Sequence, residues 1–170
     1  QGEFIDDSSL ILPHDRQGEL LYAMEQSWQA AYPEQSVIVR PTGIYGTSVA
    51  RMLKLAQNTV SYPKIHYSNR IHVDDLARFL AKMIHVKHPK KSYIVTNNQP
   101  LPLHQVIQWF QQQLNLPELT LQSQQLSGKR IYATHLQDMG FELKHPDCFV
   151  DYQALIQQKE MQQKDELDGQ

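Results

Sequence analysis

Ser36-Val37-Ile38-Val39-Arg40-Pro41-Thr42-Gly43-Ile44-Tyr45-Gly46 is the stretch whose reading decides the fold. Its first half is short and β-branched, which predicts a buried strand over 36–40 closed by Pro41. The Gly43–Gly46 turn then leads into a helix over about 47–57, with Thr47 or Ser48 as its cap. In open α/β sheets ligands bind at the carboxyl ends of parallel strands. The segment from Arg40 to Gly46 is therefore a candidate site.

Working outward, residues 15–31 read as a helix capped by Asp15 and stopped by Pro33, with Leu20, Leu21, Met24 and Trp28 along one stripe. Downstream, 58–68 reads as a loop with a short strand at 64–67. Asp74 to Val86 reads as a helix with Leu76, Phe79, Leu80, Met83 and Ile84 on one face. Ser92 to Thr96 is a second β-branched strand, and Leu103, Val106, Ile107, Phe110 and Leu114 mark a further helix. Short strand-like Leu119–Leu121 follows, then a turn and short helix over Ile131–Met139. Strands alternating with helices favour a parallel α/β architecture over a helical bundle. From residue 157 to 170 the chain is rich in Gln, Lys and Glu, a polar tail after a domain at 1–156.

Composition excludes several classes. A net charge of −2 provides no field to draw nucleic acid or an anionic membrane surface. No apolar run reaches the ~18 residues of a membrane span. A single cysteine, Cys148, rules out an internal disulfide framework, and cytoplasmic residence is the expectation. Eight histidines invite a metal site. His85 and His88 nonetheless lack a nearby third ligand, so no metal is expected. The Lys87–Lys91 cluster reads as a solvated turn.

The chain also lacks a G-x-G-x-x-G loop, a Walker lysine and a G-x-S-x-G elbow. A pyrophosphate needs backbone N–H groups approached without Cβ interference at a helix N-terminus, and no such loop is present here. The second candidate segment is Asn69-Arg70-Ile71-His72-Val73-Asp74-Asp75-Leu76-Ala77, a polar loop running into a helix. One reading is a capped helix start, with Asp74 or Asp75 on the backbone N–H groups and Arg70 in an ion pair. The other is a binding segment, since capping alone does not require Asn69 and Arg70.

In order and spacing these segments resemble the extended short-chain dehydrogenase/reductase superfamily, of the NAD-dependent epimerase/dehydratase type. Arg40 to Gly46 matches its R-P-x-x-x-Y-G stretch, and Arg70 to Ala77 its R-x-H-V-x-D-[LV]-A-like stretch. Tyr93-Ile94-Val95, Pro100 to Leu103, Ser127 to Ile131 and the Leu136…Met139-Gly140-Phe141 run extend the likeness over about residues 10–155. The resemblance implies the C-terminal portion of a Rossmann-like parallel sheet with the smaller substrate-side region. The family's glycine loop and several strands would belong to an N-terminal half upstream of Gln1.

The resemblance also implies NAD or NADP in the intact parent, with none held tightly by this chain alone. The backbone of Pro41, Thr42, Gly43 and Ile44 would pass near the nicotinamide. Arg51 and Arg70 would face an anionic substrate such as a nucleotide sugar diphosphate. The family's Tyr-x-x-x-Lys pair falls on the helix at 15–31, where Gln17 and Leu21 stand in those places. Neither can act as acid or base, Tyr22 has Gln26 four residues on, and no catalytic residue is assigned. The expectations are the substrate-side half of an epimerase, dehydratase or reductase, inactive alone, or a non-catalytic dinucleotide sensor or scaffold. The expected partner is the missing half of the fold or a second copy, because an open strand edge invites pairing.

Overall fold

The computed structural model describes residues 2–168. The chain enters through β1 (Glu3–Ile5) and passes an irregular segment to α1 (Arg16–Ala31), whose first turn is capped by Asp15 accepting the Gly18 N–H. β2 (Ile38–Pro41) is followed at once by β3 (Gly43–Tyr45) and α2 (Ala50–Asn58). Then come β4 (Ser61–Tyr62), β5 (Ile65–Ser68), β6 (Arg70–His72) and α3 (Val73–Met83). β7 (Ser92–Val95), β8 (Leu101–Pro102), α4 (Leu103–Gln113), β9 (Thr120–Leu121) and β10 (Leu126–Ile131) lead to α5 (Thr134–Asp138) and α6 (Cys148–Asp168). The polar stretch expected at 157–170 continues α6 to Asp168, and residues 169–170 lie outside the described part.

Parallel pairing dominates. β2 lies along β7 from Ile38↔Ser92 to Pro41↔Val95, and β3 along β6 from Gly43↔Arg70 to Tyr45↔His72. A four-stranded sheet has the order β1-β10-β5-β8, with only β8 antiparallel. β4 pairs with β9. The result is a mixed α/β fold, the partial Rossmann-like form expected.

Two apolar clusters hold these pieces. One joins α2, α4 and α6 through Ala56, Val106, Ile107, Phe110 and Tyr152. The other packs α3 and α5 on β6 and β7 through Ile71, Phe79, Val95 and Leu136. Full burial of side chains this size contributes about 1.5–3 kcal/mol each, which fixes β6 and β7 firmly.

Several local expectations change. β2 is half-buried rather than buried, because among the described residues only β7 pairs with it. α1 has no buried residue, and Leu20, Leu21, Met24 and Trp28 are 51–62 % exposed. The period of that stripe is helical, but no element of the described chain covers it. α2 starts at Ala50 after Val49, which makes no side-chain cap bond; Ser48 Oγ instead accepts the Ala50 N–H at 3.1 Å. α3 ends at Met83, so Lys87 to Lys91 lie in the following loop.

Candidate functional site

The carboxyl end of β2 opens on a cavity of about 480 Å³, a size that suits a small organic ligand. Pro41, Thr42 and Gly43 form one wall, and Leu10, Leu12, Ile94 and Ile131 supply apolar surface. Ile44 is 56 % exposed and lies outside the lining. Thr42 is fixed by its N–H to Val95 O at 3.0 Å and by its hydroxyl to Thr96 Oγ1 at 3.0 Å. Gly43 donates its N–H to Asn69 O at 3.1 Å, and a Cβ at Gly43 would press on that same oxygen. Ordered backbone and small side chains thus leave open space where the parallel strand ends.

Most polar groups on the cavity wall already have protein partners. Arg40 pairs with Glu25 of α1, its Nε 3.0 Å from Oε1 and its Nη2 2.5 Å from Oε2. Asp7 accepts the N–H groups of Ile94 at 2.6 Å and His135 at 2.9 Å. Asn69 donates to Lys129 O and accepts from Ile131 N, tying the loop to β10. The Ser8 hydroxyl donates to Asp6 at 2.7 Å and holds that carboxyl below its ordinary range. The cavity therefore comes with fixed walls.

The two arginines are not gathered there. Arg51 is exposed on α2 and lines no described cavity. Arg70 is 5 % exposed, and its guanidinium donates to Ser68 Oγ at 2.7 Å and Cys148 Sγ at 3.3 Å. The ion pair that capping would have given it is absent among the described residues. Its presence beside Cys148 partly offsets the burial that pushes this thiol up.

The polar run after Arg70 also resolves differently. His72, not an aspartate, caps α3, its Nδ1 accepting the Asp74 N–H. Asp75 is fully buried and turns away from the helix start. It accepts the N–H groups of Lys144 and His145 and bonds Arg78 at 2.7 Å.

At the far end of the β3–β6 ribbon lies a cluster that sequence reading did not find. The rings of His72 and His145 stack at 3.7 Å and 12°. His145 Nδ1 lies 2.7 Å from Asp151 Oδ1, and Tyr45 donates its hydroxyl to Asp151 Oδ2 at 2.5 Å. His72, His145 and Asp151 could each offer one atom to a metal. Stacked rings, however, point their nitrogens along parallel lines rather than at one ion, which a tetrahedral site cannot use. Burial and the bond to Asp151 push the Tyr45 phenol well up. Tyr152 beside it is pushed up to about 12 by burial.

No protein-family model and no curated protein matches the sequence. Solved structures do. A protein assigned to the NAD-dependent epimerase/dehydratases, from Methylobacillus flagellatus, is 32 % identical, with a TM-score of 0.82 over 94 % of this chain and 59 % of its own. A conserved protein of unknown function from Silicibacter pomeroyi is 24 % identical, with a TM-score of 0.75 over 92 % and 61 %. The dTDP-glucose 4,6-dehydratase of Bacillus anthracis, solved with NAD, is 13 % identical, with a TM-score of 0.64 over 85 % and 52 %. The latter two likenesses concern the fold alone. The chain spans about three fifths of the length of the first two.

Proposed function

We infer, from a chain that carries the fold and motif order of the C-terminal part of the extended short-chain dehydrogenase/reductase proteins, that it is the substrate-side half of an NAD(P)-dependent epimerase, dehydratase or reductase. The observation that supports this most is the cavity at the end of β2, walled by Pro41, Thr42 and Gly43. These residues fit the nicotinamide end of a dinucleotide, offering flat backbone and apolar surface. The bound nicotinamide would supply hydride transfer. The pyrophosphate end has no counterpart here, so the glycine loop would come from a complementary segment.

In this reading the open edge of β2 pairs with the next strand of that segment, and the uncovered α1 lies against it. Ile44 would follow the cofactor wall from outside. Arg51 and Arg70 remain the candidates for an anionic substrate such as a nucleotide sugar diphosphate. Arg70 would have to exchange its Ser68 or Cys148 bond for a phosphate oxygen.

A second reading is a dinucleotide-binding protein without turnover. It is favoured by Gln17 and Leu21, both exposed on α1, in the places where an acid–base pair would stand. One experiment addresses both. The chain is mixed with the N-terminal segment of the Methylobacillus relative, and NADH fluorescence and NADH oxidation with nucleotide sugars are measured. Binding with turnover supports the first reading, and binding without turnover the second. If the mixture neither forms a complex nor binds NADH, the half-fold reading fails.

A further inference from the structure

Most of the charge on the walls of the β2 cavity is engaged by the protein itself. Arg40 is held by both oxygens of Glu25, and both oxygens of Asp7 accept N–H groups. Lys129 is the exception. It lines the cavity half-buried, and among the described residues its ammonium has no hydrogen bond or ion pair. Glu3, its register partner on β1, lies outside the lining. An ammonium beside Ile5, Ile94 and Ile131 is short of both water and counter-charge, so an anion next to it is favoured.

Strand geometry puts the side chain there. Successive residues of β10 point to opposite faces, so Lys129 and Ile131 share the cavity face and Arg130 takes the other. On that other face Arg130 lies over the Tyr67 ring and donates to Gly2 O. β5 pairs with β10 only as far as Gly128. Beyond it Asn69 takes over, donating to Lys129 O at 2.8 Å and accepting from Ile131 N at 2.9 Å. β1 covers the opposite edge from Lys129 to Ile131, so the root of Lys129 is pinned from both sides.

The acids on the same walls limit which anion fits. Asp6 and Asp7 stand against one unpaired cation, so a dianionic phosphate meets repulsion that a single carboxylate largely escapes. Asp6 also offers a second contact. Its Oδ1 takes the Ser8 N–H and the hydroxyls of Ser8 and Ser9, and among the described residues its Oδ2 has no partner. A carboxylate oxygen of this kind suits a ligand hydroxyl. Neither Arg51 nor Arg70 lines the cavity, so a diphosphate held by them would lie outside it.

We propose that Lys129 is the anion-binding residue of this cavity and that the group it holds is the carboxylate of a hydroxylated acid of sugar size. The carboxylate meets the ammonium, and a hydroxyl meets Asp6. This deepens the reading of the cavity as the substrate side of a dinucleotide enzyme, and rests on that reading for calling the acid a substrate.

The test titrates the whole chain near neutral pH with three matched open-chain ligands: gluconate, its neutral alcohol glucitol, and the dianion glucitol 6-phosphate. NMR follows the amides of Thr42, Gly43 and Lys129 and the ε-methylene of Lys129. Gluconate should bind roughly tenfold tighter than either of the others, the scale of one charge-assisted contact. Lys129→Met keeps the stem and removes the charge, and should erase that difference without moving glucitol. Lys129→Arg should keep most of it, and Lys129→Gln repeats the test if the methionine variant fails to fold. Asp6→Asn should let glucitol 6-phosphate gain on gluconate, since a like charge has gone. Equal binding of gluconate and glucitol, tightest binding of the phosphate, no shift of these amides by about 50 mM gluconate, or Lys129→Met leaving gluconate unmoved would each overturn the proposal. The titration uses no dinucleotide, so its failure leaves the NADH result standing, and failed NADH binding by the mixed complex leaves the acid site standing.

Discussion

The carboxylate of Asp7 accepts the amide of Ile94 at 2.6 Å, so the segment after β1 covers a backbone donor on β7. The same side chain accepts from His135 N and Thr134 Oγ1, and it fixes the start of α5 as well. Asp7→Ala would leave the Ile94 and His135 N–H groups without their acceptor. A cost of about 2–4 kcal/mol is expected from urea unfolding, with Asp7→Asn milder. A loss below about 1 kcal/mol for the alanine variant would show that water replaces the carboxylate.

Gly46 has a φ of +112°, and a Cβ there would overlap the His72 imidazole at Nε2. Gly46→Ala should destabilise by about 2–3 kcal/mol, from strain and collision together. The His72–His145 ring contacts should be lost from nuclear Overhauser spectra. Unchanged melting would mean that the ribbon end can shift to admit a methyl group.

Glu25 and Arg40 make the charged contact that ties α1 to β2, with side chains 19 % and 30 % exposed. Glu25→Gln is expected to cost about 1–2 kcal/mol and to raise amide exchange along α1 more than in α4. Equal effects on both helices would place the contact's role in global stability instead.

His104 is held below the ordinary imidazole range by burial, as is His72, where His145 adds to the effect. A histidine harder to protonate when folded means that the unfolded chain binds more protons as pH falls. Its contribution is complete above about pH 6.5 and is lost as pH drops towards the folded value. Among the described residues, His104 Nδ1 also has no hydrogen-bond partner. His104→Leu should therefore leave the melting temperature at pH 8 nearly unchanged and flatten its fall between about pH 6.5 and 5. A parallel shift at both pH values would contradict this.

Leu20, Met24 and Trp28 lie on the uncovered face of α1. Replacing Leu20 and Met24 by Ser should change stability by no more than about 0.5 kcal/mol each, since neither is packed. If that face binds a complementary segment or a second copy, the same changes should lower association measured by light scattering. A monomeric wild-type chain with cooperative unfolding would remove the reason to expect a partner.

Local grammar made much of the fold readable. Asp15 followed by a periodic stripe gave α1 within a residue, and the β-branched runs marked β2 and β7 because such residues suit a pleated surface. What periodicity cannot state is whether a stripe has a neighbour, and α1 shows the difference. Within the candidate site, Pro41 to Gly43 were legible because the strand ends there. The environment of Arg70 was not, since Ser68 and Cys148 approach it by sheet and helix packing. His145 and Asp151 carried no local signal at all. They meet His72 only after α6 folds back, and a histidine count cannot reveal a stack between residues so far apart in sequence.

The pairing of β1 with β10 sets Glu3 opposite Lys129 and Ile5 opposite Ile131. On a ribosome, the first strand would emerge long before its neighbour exists, and the Asp7 staple to His135 would wait as long. Such late closure slows folding and leaves early apolar segments unsheltered during synthesis.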